Sequence, residues 1–273
     1  MAKIARILLV SNGLIALFSI AGFGAFVNGA PVPAWDYYLL TRSLTIANVV
    51  SGVLCAMFAM ASEQGWRATL TLLMLAVIFA GTAELIGTIT GFPFGHYRYT
   101  DLLGYKLFGH VPVLIPPSWF MMLYPALHLA SLRLHGWIPQ AAMASVILTL
   151  WDVALDPAVT TGFAQWQWHQ KDSLWGWLPR IHFYGMPLEN WIGWLLTGGL
   201  ISMFYLRLQP NWKPARNSLA VWLYPIQSGF VVTMALLLGR WVASLLWLVG
   251  AAGLLWWLKP WITASGNLSA EFK

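Results

Sequence analysis

Residues 138–169 read IPQAAMASVILTLWDVALDPAVTTGFAQWQWH, and this stretch decides the class of fold. Its first twenty residues, coiled as a helix, are long enough to cross about 30 Å of hydrocarbon at about 1.5 Å per residue. Yet that segment carries two aspartates, Asp152 and Asp156. A charged aspartate at mid-membrane costs about 2.5–3.5 kcal/mol on insertion scales, so two on one helix call for a partner or a use. Spaced i, i+4, they share a helix face that Thr149 and Ser145 continue toward the bilayer centre. Carboxyls that close resist being ionised together, so one would hold a proton near neutral pH, as a general acid must.

Composition places the whole chain in the same class. Of 273 residues, 59% are hydrophobic and 9% charged, against about 25% charged in a soluble domain. Eighteen tryptophans and an aromatic share of 15% exceed what interfacial belts need, which points to rings lining an apolar, electron-rich pocket. The net charge of +6 comes without a basic stripe, so nucleic acid is excluded as a partner and the excess is a topology signal. The single cysteine, Cys55, allows no internal disulfide and no cysteine metal site. Lys3 and Arg6 precede an apolar stretch from Ile7 to Val27 that is long enough to span, so it reads as an uncleaved first helix rather than a signal peptide.

Apolar segments of spanning length occur at 5–27, 37–60, 68–90, 114–134, 138–157, 188–208, 217–238 and 240–258. The expected fold is therefore all-α, a polytopic integral membrane helical bundle of about eight transmembrane helices in a single domain over 1–273. Gly239 and Arg240 alone divide the last pair, and Pro125 and Pro225 predict kinks. Two long connections, 91–113 and 158–187, fall on one side of the membrane. With the N-terminus in the cytoplasm, nine basic residues fall inside (Lys3, Arg6, Arg67, Arg133, Arg207, Lys213, Arg216, Lys259, Lys273) and six outside (Arg42, Arg98, Lys106, Lys171, Arg180, Arg240). That bias predicts both termini in the cytoplasm, and the expected location is a bacterial inner membrane.

The acids sort more sharply. Glu63 and Glu271 fall inside, while Asp36, Glu84, Asp101, Asp152, Asp156, Asp172 and Glu189 fall toward the opposite face. Glu84 lies in AGTAELIGTITG, where Gly81, Glu84, Thr88 and Gly91 form one small, polar stripe suited to close helix packing. A purely structural use would pair these acids with Arg42, Arg98 or Arg180; intramembrane ionisable groups more often mark function. The loop from Gly91 to Phe120, with Phe92, Phe94, Tyr97, Tyr99 and Tyr105 beside His96, His110 and Asp101, reads as a structured lid or an aromatic belt. In the second loop, the alternation Gln165-Trp166-Gln167-Trp168 puts both indoles on one side of an extended segment, and Trp175, Trp177, Tyr184, Trp191 and Trp194 follow. Pro187 with Glu189 in the first turn makes a good helix start.

No HxxxH, HxxHH or HExxH spacing is present, and only His128 is mid-helix, one turn after Tyr124, so di-iron and bis-histidine haem chemistry lack ligands. Phosphate-binding glycine motifs are absent too. A protonated carboxyl in a dry, ring-lined pocket suits protonation of an unactivated alkene, whose tertiary cation tryptophan and tyrosine faces stabilise by about 2 kcal/mol or more each when desolvated. The substrate must dissolve in lipid and carry an alkene, as an isoprenoid does.

The blocks GFPFGHYRYTDLLG, VPVLIPPSWFMMLYPA, WDVALDPAVTTGFAQWQW and FYGMPLENWIGWLLTG together resemble the CruF-type carotenoid biosynthesis proteins, multi-helix membrane carotenoid 1,2-hydratases. The resemblance is strongest over 84–199. It implies addition of water to the terminal ψ-end double bond of a carotene such as lycopene or γ-carotene, with no redox cofactor. It also implies a carotenoid and the lipid bilayer as partners, with other carotenoid-pathway enzymes. Thr160 and Thr161, after the LDPAV turn, are the positions where a difference from the family pattern would bear on the end-group preference, which stays open.

The candidate catalytic residues are Asp152, Asp156 and Glu84, with no metal. The candidate substrate-binding set is Phe94, His96, Tyr97, Tyr99, Asp101, Trp119, Tyr124, Trp151, Trp166, Trp168, Tyr184 and Glu189. The competing reading is a proton-coupled transporter with a one-sided carboxylate site, for which the repeated Leu-Tyr-Pro at 123–125 and 223–225 speaks. A pigment-binding protein would explain the rings and leave the acids unexplained.

Overall fold

The computed structural model describes residues 1–31, 34–169, 181–215 and 217–270, and for 34–36 and 261–270 the backbone alone. Asp36, Lys171, Asp172, Trp175, Trp177, Arg180, Arg216, Glu271 and Lys273, all part of the sequence reading, lie outside the described residues or side chains. Among the described residues there are seven helices: α1 (Ala2–Val27), α2 (Ala34–Thr90), α3 (Ile115–Ser131), α4 (Trp137–Ala158), α5 (Glu189–Leu208), α6 (Ala220–Leu237) and α7 (Trp241–Ala270). Six of them are long and apolar enough to cross a membrane, so the chain is an integral membrane helical bundle.

α2 accounts for two of the eight expected segments. At Gly65 its backbone leaves helical geometry (φ 81, ψ 162), a conformation only glycine adopts without strain. The two arms must fold back on each other there. Thr45 accepts a hydrogen bond from Gln165 at 2.9 Å, and Glu84 binds Tyr99, whose strand partner is Trp166; in a straight helix Thr45 and Glu84 would lie about 58 Å apart. α3 and α6 run on through Pro125 and Pro225, so the sharp break falls at a glycine and not at the prolines. The division between the last two helices is where the sequence placed it, with Gly239 at φ +70.

α3 is the axis of the bundle. It has 17 residues, and nearly every side chain from Trp119 to Ser131 is buried. α4 packs against α3, α5, α6 and α7, while the arms of α2 enclose α3 with α1 and α5 outside them. Leucines and isoleucines on the outer faces, such as Leu14, Ile78 and Leu245, are exposed, as lipid-facing positions are in a bundle whose solvent is hydrocarbon.

The second long loop starts later than the sequence implied. α4 passes into a π-helical turn, Val159–Phe163, and ends at Ala164 in the left-handed conformation. Hydroxyls cap carbonyls at this turn: Thr160 Oγ1 donates to the Asp156 carbonyl at 2.8 Å, and Thr161 donates to that of Pro157. Such widened turns recur at functional sites.

Both loops then join over one end of the bundle. β1 (Tyr97–Tyr99) pairs antiparallel with β4 (Trp166–Trp168), in the register Tyr97 to Trp168, Arg98 to Gln167 and Tyr99 to Trp166. Side chains alternate along a strand, so the four rings share the inner face. On the outer face Arg98 donates to Gln167 Oε1 at 3.0 Å. Two small hairpins, β2 (Lys106–Leu107) with β3 (Val111–Pro112) and β5 (His182–Phe183) with β6 (Met186–Pro187), complete the described loops.

Candidate active site

Beneath the β1–β4 pair lies a chamber of about 50 Å³ whose wall holds Glu84, Asp156 and Asn190 among aromatic rings. Each helix contributes for a local reason. Glu84 stands on the second arm of α2, Asp152 and Asp156 one turn apart on α4, Asn190 in the first turn of α5, and Trp119 near the start of α3. Phe94 is wedged between two helices because each has a glycine facing it: a Cβ on Gly193 would come within 2.3 Å of the ring, and one on Gly87 within 2.9 Å.

The three carboxyls are 5%, 0% and 2% exposed for Glu84, Asp152 and Asp156. Among the described residues, every hydrogen-bond donor they meet is neutral. Glu84 Oε2 accepts from the Tyr99 hydroxyl at 2.8 Å and from the Tyr97 hydroxyl, and Oε1 accepts from Trp119 Nε1 at 3.1 Å. Asp156 Oδ1 accepts from Trp168 Nε1 at 2.7 Å, and Oδ2 accepts from Trp166 Nε1 at 3.3 Å. Asn190 bridges the pair, its Nδ2 lying 2.8 Å from Asp152 Oδ2 and 3.4 Å from Asp156 Oδ2. Asp152 Oδ1 is buried without a hydrogen-bond partner. The structural alternative, arginine pairing, is not seen at Arg42 or Arg98; Arg98 engages Gln167 instead.

Burial first, and the Glu84 charge second, push the Tyr97 and Tyr99 phenols well above their ordinary range. Both therefore stay donors across physiological pH. The rings form a continuous wall: Trp119 stacks on Trp194 at 4.2 Å between centroids, Trp151 meets Trp194 edge-on at 6.1 Å, and Tyr97 meets Trp168 at 5.0 Å.

The structure brings Glu84, Asp156, Phe94, Tyr97, Tyr99, Trp119, Trp151, Trp166 and Trp168 around one space, with Asp152 directly behind through Asn190. Other candidates stand elsewhere. Tyr124 is near the opposite end of the bundle, bonded to Glu63 at 2.8 Å and to Ser218 at 3.0 Å. The Asp101 side chain is 89% exposed and pairs with Lys106 at 2.8 Å, which holds its carboxyl below the usual range. Tyr184 lies under Arg240, at 5.2 Å, at the start of α7. His96 packs on Gly91 outside the chamber, and Glu189 is buried in the first turn of α5 without lining it.

Asn190 and Trp194 were missed by the sequence reading. Their signal was present: Met186, Asn190 and Trp194 recur at i, i+4, and Asn190 is a neutral polar residue opening an apolar helix. His128 is fully buried, as expected of a bundle histidine. Among the described residues no cluster of histidine, cysteine, aspartate and glutamate could hold a metal ion.

Over 146 residues the chain is 33% identical to the bisanhydrobacterioruberin hydratase of Haloarcula japonica, an alignment covering 51% of this chain and 45% of that protein. The matched region thus spans about half the length of that relative. No solved structure matches. The family of carotenoid biosynthesis proteins matches residues 44–256, a range that takes in both arms of the aromatic strand pair and all three buried carboxyls. The chain belongs to the carotenoid biosynthesis protein family.

Proposed function

We propose that the chain is a carotenoid 1,2-hydratase that adds water across the terminal ψ-end double bond of a lycopene- or γ-carotene-type carotene. The observation that carries this reading is the chamber itself: two buried carboxyls, Glu84 and Asp156, with Asp152 behind them, free of cationic partners among the described residues and set against a wall of tyrosine and tryptophan rings. The relative from Haloarcula japonica is itself named a hydratase.

Asp156 is the acid, because it lines the chamber whereas Asp152 does not. Its proton moves to carbon 2 of the end group, and the carbon 1–carbon 2 π pair becomes the new C–H bond. Carbon 1 is left a tertiary cation, which the ring faces stabilise. The oxygen of water then bonds to carbon 1 and gives up a proton to a carboxylate, so that one water is consumed and the enzyme is restored. Asn190 holds Asp152 beside Asp156, and carboxyls that close resist being ionised together, so the pair carries one proton. Glu84, fixed by Tyr97, Tyr99 and Trp119, supplies a negative charge across the chamber from the acid and orients the water. In this reading the enzyme sits in the bacterial inner membrane with both termini in the cytoplasm, works without a redox cofactor and takes its substrate from neighbouring pathway enzymes.

The test is expression in a host that accumulates lycopene or γ-carotene, with the pigments resolved by liquid chromatography and mass spectrometry. A more polar product heavier by one water, with an unchanged chromophore, supports the reading. Unchanged pigment, with the protein present in membranes and both carotenes tried, refutes it.

A further inference from the structure

A second cavity, of about 140 Å³, lies among α1, α2, α3, α4 and α6. It shares Ile115, Ser118, Trp151, Leu155 and Trp166 with the carboxyl chamber, so the two are separated only by side chains common to both. Its remaining wall is mostly apolar, and on one side it reaches Leu40, whose side chain is exposed on the outside of the bundle. An apolar cavity of comparable volume, about 150 Å³, stays free of water and takes a benzene-sized guest. The chamber, at about 50 Å³, admits no more than the reacting end of a chain.

The polar groups of this wall are largely satisfied within the protein. Gln227 Nε2 donates to Asn12 Oδ1 at 2.8 Å, Gln165 Nε2 to Thr45 Oγ1 at 2.9 Å, and Ser19 Oγ to the Ile15 carbonyl at 2.7 Å. Besides the Tyr37 hydroxyl, two N–H donors remain buried and unpartnered: Asn48 Nδ2 and Trp151 Nε1. A saturated acyl chain would leave both unpaired, whereas an unsaturated chain offers π electrons that weakly accept N–H groups.

We propose that this cavity binds the methyl-branched, unsaturated chain next to the reacting end group, received sideways from the lipid at Leu40 and threaded past Trp151 and Trp166 into the carboxyl chamber. The proposal rests on the hydratase reading for the identity of the chain and adds the path it takes.

Gly22 makes the path testable. It lines the cavity from α1, and a Cβ built there meets no atom within 4 Å. A side chain at this position starts into open space and leucine favours the helix over glycine, so G22L adds bulk at the cavity wall. Gly253 on α7 is likewise unobstructed and lies outside the cavity wall, which makes G253L the matched control. Both are expressed with wild type in the carotene-accumulating host, and pigment copurified per protein is measured together with conversion to the hydrated product. The expected result is a tenfold or larger loss of both pigment and conversion in G22L, a smaller loss in G22A, and wild-type behaviour in G253L, at equal abundance in membranes. Wild-type pigment load and conversion in G22L would overturn the proposal, as would wild-type protein that carries only saturated lipid chains. If wild type binds carotene without hydrating it and G22L loses the pigment, the path stands and the hydratase reading falls.

Discussion

Glu63 and Glu84 each accept a hydrogen bond from a tyrosine hydroxyl, and the two sites sit at opposite ends of the bundle. Glu63, beside the reversal at Gly65, receives Tyr124, which also meets Ser218; Ser218 Oγ in turn accepts the Ala220 N–H at 3.0 Å. That cluster ties α2, α3 and the start of α6 together, and its glutamate is only part-buried. Glu84 receives Tyr97 and Tyr99 in a buried setting, beside two more carboxyls and next to a second, mostly apolar cavity. The same pair of groups is therefore a structural pin where it closes on itself near water. It becomes a candidate for chemistry where a void and further acids adjoin it.

The largest separation between the two ends is expected from Asp156→Asn. Hydration should fall by about 10²–10⁴, the range that general acid catalysis contributes, with membrane abundance unchanged; retained conversion would remove Asp156 from the mechanism. Glu84→Gln keeps the shape and removes the charge, and should lower conversion about tenfold or more, read from the same pigment extracts. Trp168→Phe deletes one N–H to Asp156 and should cost about fivefold in rate, the equivalent of about 1 kcal/mol for one hydrogen bond. At the other end, Tyr124→Phe should leave the turnover of folded enzyme unchanged and reduce stability by about 1 kcal/mol, measured as thermal loss of folded protein in detergent. A turnover defect in Tyr124→Phe would erase the distinction between the ends. Smallest of all, Asp101→Asn removes an exposed partner of Lys106 and should change neither measurement.

The helices were legible because spanning a bilayer demands about 20 consecutive apolar residues, and that demand leaves a mark in hydropathy. Even the break at Gly239 could be read, since a glycine with a positive φ and a cation interrupt the apolar run. The acids were legible for the converse reason: Glu84, Asp152 and Asp156 stand out where charge is costly. What could not be read was pairing. That Tyr97 faces Trp168 and Tyr99 faces Trp166 depends on two loops 69 residues apart at Arg98 and Gln167, and no local pattern encodes such a partner. Nor could sequence place Tyr124, whose Leu-Tyr-Pro setting looks the same whichever end of a helix its hydroxyl serves. Asn190 escaped because a neutral amide carries little cost and so no alarm; its use appears only once α5 sets it between two carboxyls.

The most direct test of the central claim is to follow where the product oxygen comes from. Purified protein is supplied with lycopene or γ-carotene in water enriched in the heavy oxygen isotope, under ordinary air, and the product is weighed by mass spectrometry. Acid-catalysed hydration in the carboxyl chamber predicts a hydroxyl carrying the heavy isotope in proportion to the water, with formation lost in Asp156→Asn. A hydroxyl carrying the light isotope, or full conversion by the asparagine variant, would contradict it.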